Sequence, residues 1–280
     1  MIGIALALVL QVNSSTPPVA KAAKTPATPA APKARPIVVV DAGHGGVDPG
    51  MNGPIGSRGF KIREKDITLA VSKKLGQALL RRQLDVVYTR TTDTLIDLSD
   101  RGDIANRVGA ALFISIHVNA AHPTWRDAAN WRGFETYFLS DAHGEDALRV
   151  EEMENASVRF ETVKDMSKED PLSFILGDMK QNENLRESSE LAATIQKSLG
   201  GVHPGPSRGV KQAGFRVLVT SFMPSVLVEI GFGTNPSEAG FLADPAKQDM
   251  IAKSIADATV AYLKAYEKRV SGGLAGGTGR

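Results

Sequence analysis

Three stretches place imidazole or carboxylate groups where the chain leaves an apolar run. Ile37 to Val40 leads into Asp41-Ala42-Gly43-His44-Gly45-Gly46, Leu112 to Ile116 into His117-Val118-Asn119, and Val226 to Val228 into Glu229-Ile230-Gly231. Between the first two lies Arg63-Glu64-Lys65-Asp66, at the start of a helical pattern. Two imidazoles and a carboxylate can supply the three protein ligands of a catalytic zinc and leave a fourth position for water. A second carboxylate can take that water's proton. The chain has no cysteine, so thiolate ligands, disulfides and a cysteine nucleophile are excluded. Spacing alone leaves a plainer reading open, because the groups are scattered and a histidine after a strand is often a packed or capping residue. Gly43, Gly45 and Gly46 let the backbone turn tightly and approach a ligand without a Cβ clash.

Such groups meet only if a sheet gathers them, and open α/β sheets place their sites at the carboxyl ends of strands. The pattern supplies the elements. Ile37 to Val40, Asp85 to Thr89, Leu112 to Val118, Phe134 to Leu139, Arg216 to Thr220 and Val226 to Ile230 are the strand candidates. The continuous apolar run Ile37 to Val40 suits a strand buried on both faces. Ile67, Val71, Leu75 and Leu79 recur at helical spacing behind Asp66, Leu98 to Val108 predicts a second helix, and Ser188 to Leu199 a third. Met250, Ile251, Ile255, Ala258, Tyr262 and Tyr266 predict a last, amphipathic one. Alternation of this kind implies a single α/β domain with a mostly parallel twisted sheet of roughly six strands flanked by helices.

One segment breaks that rhythm. Asp141 to Glu183 carries twelve acidic and five basic residues and no clear strand, so it reads as a helical insertion, spanning 141–185. Its simpler interpretation is a solvated surface excursion. Ahead of the domain, the apolar run Ile2 to Val12 is much shorter than the roughly 20 residues of a membrane span. It resembles the core of a secretory signal, with Ala20-Lys21-Ala22 as a small-x-small cleavage site, although a positive start is missing. The expected organisation is a signal sequence at 1–22, an Ala/Pro/Lys-rich linker at 23–36, a catalytic domain at 37–270 and a flexible Gly-rich tail at 271–280. Net charge is +2 over 280 residues, which gives no general reason to expect nucleic acid as a partner.

Local motifs go further than spacing. Val39-Val40-Asp41-Ala42-Gly43-His44-Gly45-Gly46 with Asp48-Pro49-Gly50 comes first, followed by Glu64-Lys65-Asp66. Arg107 precedes Phe113-Ile114-Ser115-Ile116-His117-Val118-Asn119-Ala120, and then come Gly133-Phe134-Glu135-Thr136-Tyr137 and Pro224-Ser225-Val226-Leu227-Val228-Glu229-Ile230-Gly231-Phe232 with Asn235. In this order they resemble the zinc-dependent N-acetylmuramoyl-L-alanine amidases of the AmiA/AmiB/AmiC type, over about Ile37 to Tyr266. The resemblance implies a phosphorylase/hydrolase-like α/β fold and zinc held by His44, Glu64 and His117, with Glu229 as the catalytic carboxylate. It implies hydrolysis of the amide joining N-acetylmuramic acid to L-alanine of the stem peptide. Peptidoglycan is then the partner, while the signal-like start and the tether behind it point to export to the periplasm or cell envelope, and a monomer without a stable membrane span is expected. Glu154-Asn155-Ala156 resembles the segment from which regulated members offer an extra carboxylate to the metal, so Glu154 is a candidate autoinhibitory ligand and an activator protein would act on 141–185. Taken as a helix, Glu145 to Val163 aligns Val150, Met153, Ser157 and Phe160 on one stripe, with Glu154 at its border.

Arg107 is placed to hold a nearby carboxylate or touch substrate. Asn119, two residues after His117, points to the same side of an extended chain, where many relatives carry an acid. His122, His143 and His203 lie in polar or Pro-containing loops and are expected away from the metal. Trp125 and Trp131 flank Arg126 in a stretch without apolar periodicity; a local hydrophobic plug and a sugar-stacking lip are the two readings. Two other functional classes stand beside the amidase: a catalytically silent wall-binding relative, and a zinc hydrolase of another cell-wall amide.

Overall fold

The strand β1 (Ile37–Ala42) sends Val38 and Val40 into one hydrophobic core and Val39 into another, so it is covered on both faces as its unbroken apolar run requires. A computed structural model describes residues 34–122, 124–161 and 171–275. The expected signal sequence and most of the linker lie outside the described residues. Along the chain follow a short hairpin of β2 (Asn52–Gly53) and β3 (Ile62–Arg63), helix α1 (Glu64–Leu80), β4 (Asp85–Tyr88), α2 (Leu98–Arg107) and β5 (Leu112–Asn119). Then come β6 (Phe134–Leu139), α3 (Glu145–Asn155) with a 3-10 turn over Ala156–Phe160, α4 (Pro171–Leu199) and β7 (Ser207–Ala213). The chain closes with α5 (Arg216–Val219), β8 (Ser225–Phe232), α6 (Pro236–Ala243) and α7 (Pro245–Ala275).

Six strands form one sheet in the order β4-β1-β5-β8-β6-β7. The first four run parallel; β6 pairs antiparallel with β8, and β7 parallel with β6. This reversal matters for function. It brings the first residues of β6 and β7 to the same edge of the sheet as the last residues of β1, β5 and β8.

One face of the sheet packs on α1, α4, α6 and α7, whose buried residues include Val71, Leu75, Leu191, Ile195, Ile251 and Ile255. The other face packs on α2, α3 and α5 through Leu98, Ala105, Ala147, Val150, Val217 and Leu218. Strand alternation decides which side chains meet which layer. Ile114, Ile116 and Val118 face the first; Phe113 faces the second, and His117 shares its parity. On β8, Val226, Val228 and Ile230 face the first, while Leu227 faces the second and Glu229 follows it. The polar row therefore lies beneath α2, α3 and α5.

Three sequence expectations change. Arg216 to Thr220, read as a strand, is a helical turn: a run of three apolar residues has no periodicity that separates the two, and Val217 and Leu218 are buried either way. β7 was not anticipated, because Ser207-Arg208-Gly209-Val210-Lys211-Gln212-Ala213 is mostly polar and half-buried, as suits an edge strand. At the C-terminus α7 continues through residues 271–275, where a flexible tail was expected, while 276–280 lie outside the described residues. Within α7 the anticipated apolar stripe holds for Ile251, Ile255, Ala258 and Tyr262, whereas Met250 and Tyr266 are exposed. Among the described residues no helix is long and apolar enough to cross a membrane.

Candidate active site

The loop after β1 is shaped by two buried arginines. Arg90 donates to the carbonyls of Ala42 and Gly43 at 2.9 and 2.8 Å. Arg101 donates to those of Ala42 and His44 at 2.8 and 3.1 Å. Arg101 also pairs with Asp41 at 2.8 Å, and Asp41 accepts from Ser115 Oγ at 2.6 Å and Thr89 Oγ1 at 2.5 Å. Burial alone would raise the Asp41 pKa, yet Arg101 and the two hydroxyls hold it below its ordinary value. These bonds occupy carbonyls that would otherwise be free in a tight turn where His44 itself takes a left-handed φ of 59°. His44 Nδ1 donates to Asp48 Oδ2 at 2.8 Å, which fixes the tautomer and leaves Nε2 to point at the site.

Glu64 opens α1 and is buried. Its Oε2 accepts from Met51 N at 2.9 Å and its Oε1 from Val118 N at 2.8 Å. Oε1 lies 3.2 Å from both His44 Nε2 and His117 Nδ1. Glu154, near the end of α3, brings Oε2 to 3.1 Å from His44 Nε2 and 2.8 Å from His117 Nδ1. Gly43 makes room for this meeting, since a Cβ there would come within 2.5 Å of the His117 ring. Glu229 stands opposite His117 in the β5–β8 register and opposite Glu135 in the β8–β6 register, completely buried.

The four side chains His44, Glu64, His117 and Glu154 each offer a ligand atom, all within 4.8 Å of one another. His44 Nε2, His117 Nδ1 and Glu154 Oε2 are buried without an aligned hydrogen-bond partner, although carboxylate oxygens are close. Atoms that converge without bonding each other fit a shared cation between them. Electrostatics agrees. Burial lowers the imidazole pKa values, but Glu64 and Glu154 hold His44 well above its usual range, and Glu154 and Glu64 hold His117 up at about 9. Both carboxylates, despite burial, are held below the ordinary range by the imidazoles. The cluster thus calls for positive charge, which two protons or one divalent metal can supply. Glu229 behaves oppositely. Burial, then the charges of Glu154, Glu64 and Glu135, push its pKa well up, and neither of its oxygens has a hydrogen-bond partner. A buried, unpartnered carboxyl group here can exchange a proton with water once a bound cation offsets the charges of Glu154 and Glu64.

Of the residues singled out in the sequence, His44, Glu64 and His117 meet directly, Glu154 joins them, and Glu229 stands beside His117. Arg107, expected to hold a nearby carboxylate, is exposed at the last turn of α2, and Arg101 holds Asp41 instead. Helical spacing carried that signal: Leu98, Arg101, Gly102 and Ala105 share the buried face of α2, and Arg107 does not. Asn119 is buried and donates to Glu135 Oε1 at 2.6 Å, so its amide serves a second carboxylate rather than the cluster. Glu135, in the motif Gly133-Phe134-Glu135-Thr136-Tyr137, has no counterpart among the expected site residues. It is buried and collects Asn119, Tyr137 Oη at 2.9 Å, Arg208 at 3.0 Å and Lys211 at 2.5 Å. His122 and His143 are exposed, and His203 is buried between Phe134 and Phe241, outside the cluster. The stripe expected on the insertion is buried at Val150 and half-buried at Met153, Ser157 and Phe160. Glu154 is buried outright, and Ser157 Oγ donates to Asp48 at 2.8 Å.

Comparison with known proteins bears on this arrangement. The family model described as N-acetylmuramoyl-L-alanine amidase matches residues 38–261. The chain is 35% identical over 235 residues to N-acetylmuramoyl-L-alanine amidase AmiA of Escherichia coli, covering 83% of this chain and 78% of that protein. Among solved structures it is similar to an N-acetylmuramoyl-L-alanine amidase from Clostridium difficile 630, with a TM-score of 0.59 and 29% identity over 82% of this chain and 97% of that one. The amidase AmiC2 of Nostoc punctiforme aligns with a TM-score of 0.58 and 26% identity, over 82% of this chain and 97% of that one.

Proposed function

The chain belongs to the N-acetylmuramoyl-L-alanine amidase family, and from that premise we propose how its own residues perform the reaction. It is a peptidoglycan amidase, cleaving the bond between N-acetylmuramic acid and L-alanine of the stem peptide. The observation that carries the mechanism is the convergence of His44 Nε2, His117 Nδ1 and Glu64 Oε1 beside a fully buried, unpartnered Glu229.

His44, Glu64 and His117 would hold zinc, a borderline ion suited to two imidazoles and a carboxylate. When bound, it supplies polarisation of the scissile carbonyl and acidification of a water. Asp48 keeps the His44 ring in the right tautomer, and the backbone N–H groups of Met51 and Val118 orient the Glu64 carboxylate. Glu229 accepts the proton of the attacking water and returns it to the leaving amine of L-alanine.

Glu154 supports a resting state that is closed. Its carboxylate lies against both imidazoles, where water and substrate would need to enter. Opening requires α3 to lift, and an activator protein achieves this only if it binds the open state better, by about 1.4 kcal/mol for each tenfold shift. Secretion to the envelope, through the signal-like segment at 1–22, accords with where the substrate is found.

The deciding experiment is a digest of purified peptidoglycan. An amidase frees the amino group of L-alanine; release of acetate or of another amino acid instead would overturn the assigned bond. Chelation should abolish the activity and added zinc restore it, and full activity in metal-stripped protein would overturn the metal assignment.

A further inference from the structure

The reversed direction of β6 and β7 puts more than catalytic groups at the active edge of the sheet. The loop between β5 and β6 carries Trp125 and Trp131, with ring centroids 4.8 Å apart. Trp131 lies 6.2 Å from Phe232, three residues past Glu229 on β8 and the register partner of Asn119. Beneath the two indoles, Phe232, Ala121 and Ala128 are buried, while the indoles themselves stay partly exposed. The loop is tied to the segment that follows β8 at three points: Ala121 N donates to Thr234 Oγ1 at 3.0 Å, Asn235 Nδ2 to the Ala129 carbonyl at 2.9 Å, and Gly133 N to Glu238 Oε1 at 2.7 Å. The indoles are thus held in a fixed relation to the strand bearing Glu229.

Guanidinium groups lie over the rings. Arg208 stands 5.1 Å from the Trp131 ring and 5.3 Å from that of Phe232, and pairs with Glu135, the neighbour of Glu229 across the strands. Arg149, from α3, stands 5.2 Å from the Trp125 ring. A plug that only filled space would bury its rings; here both indoles stay partly exposed, on a loop bonded to the segment that follows the strand of Glu229. A pyranose has a C–H face that stacks on an aromatic plane and a rim of hydroxyls that accept from guanidinium donors.

We propose that Trp125, uncovered when α3 lifts and takes Arg149 with it, and Trp131, with Arg208 beside it, form a subsite that stacks a sugar ring of the peptidoglycan glycan strand and so presents the adjoining amide to Glu229. The proposal rests on the amidase reading for the identity of the sugar. It does not need the chemistry to occur.

These are the only two tryptophans in the chain, so intrinsic indole emission reports on this subsite alone. The test titrates the protein with peptide-free chains of alternating N-acetylglucosamine and N-acetylmuramic acid, and separately with free stem peptide. Glu154→Ala is titrated in parallel, because α3 supplies Arg149 in the closed state. The expected result is a saturable emission change with glycan and none with peptide. Trp125→Ala, which leaves Trp131 as reporter, should weaken glycan binding by about three- to tenfold, the size of one lost aromatic contact. Trp125→Ala and Trp131→Ala should each raise KM on whole peptidoglycan by a similar factor with kcat unchanged, the pattern of lost binding rather than lost chemistry. Circular dichroism checks that each variant folds; if either does not, the titration of the unsubstituted protein and of Glu154→Ala decides alone. Silent emission in both proteins while peptidoglycan is still hydrolysed overturns the subsite and leaves the amidase reading standing. A response to peptide instead of glycan also overturns it. Glycan binding with no hydrolysis even by Glu154→Ala would retain the subsite and overturn the amidase reading.

Discussion

Glu64 and Glu154 aim carboxylate oxygens at the same two imidazoles, and they are held there by different means. Glu64 accepts from two backbone N–H groups and begins a helix whose Ile67, Val71, Leu75 and Leu79 lie in the main core. Glu154 rides on α3, which buries only Ala147 and Val150 as apolar contacts. The rest of its attachment is mostly polar, and all but the bond from Ser157 Oγ to Asp48 lies away from the cluster. Glu151 accepts from Gly214 N at 2.8 Å, Asn155 spans Gly214 O and Arg216 N at 3.0 and 2.9 Å, and Glu161 accepts from Leu98 N at 2.7 Å. Hydrogen bonds of this kind contribute roughly 0.5–1.5 kcal/mol net apiece. Moving Glu64 means opening the core; moving Glu154 means breaking a handful of edge bonds. A permanent ligand and a removable one are thus told apart by what lies behind them, although their oxygens are almost equally close.

The sharpest test of that contrast is the loss of a core ligand. His117→Ala should abolish both bound metal and hydrolysis, whereas Glu154→Ala should keep the metal; equal metal loss in the two, by elemental analysis of purified protein, would break the distinction. Next in size is Glu229→Gln, which preserves shape and removes the base. Hydrolysis should fall by about 10²–10⁴-fold with metal retained, and loss of metal there would make Glu229 a ligand instead. On the removable side the sign reverses. Glu154→Ala, or replacement of Glu145 to Asn182 by a short Gly linker, should raise basal hydrolysis, by roughly 5- to 150-fold if closure is of ordinary allosteric strength. Unchanged rates in both would reduce the insertion to a docking or purely structural element. Asn155→Ala should give a smaller rise, about two- to tenfold, because it removes one clamp and leaves the carboxylate in place.

The smallest effect concerns stability of the core region alone. Burial lowers the His203 pKa to about 4. The unfolded chain, near 6.5, therefore binds its proton first, so stability should be lost as pH falls from about 6.5 towards 4. Glu238, raised by burial to about 6, opposes this over part of the same range, since its contribution is present at low pH and lost as pH rises through 6. Its shift is the smaller, so the net slope should follow His203. Thermal unfolding of His203→Gln across this range should show a flatter acid limb; an unaltered limb would remove His203 from the account.

Much of the site could be read in the chain because its groups sit at the ends of apolar runs that only a buried parallel sheet accommodates. His44, His117 and Glu229 are legible for that reason, and Glu64 as the first residue of a helix with a clear stripe. The same logic misplaced Arg107, since a positive charge near a site motif was weighed without the face of α2 on which it falls. It also passed over β7 and Glu135, because polar edge strands leave no apolar signature.

What the sequence by itself determined is therefore local: which segments are buried on both faces, where helices begin, which residue types stand at strand ends, and, through its motifs, the family. Only the tertiary structure decided that β6 and β7 enter the sheet so that their first residues, not their last, meet the catalytic edge. That choice brings Glu135 opposite Glu229 and Arg208 over Trp131, and the packing of α3 across the same edge sets Glu154 against His44 and His117. Strand direction and helix docking depend on how distant segments share a core, and residue periodicity, being the same in either direction along a strand, carries no record of it.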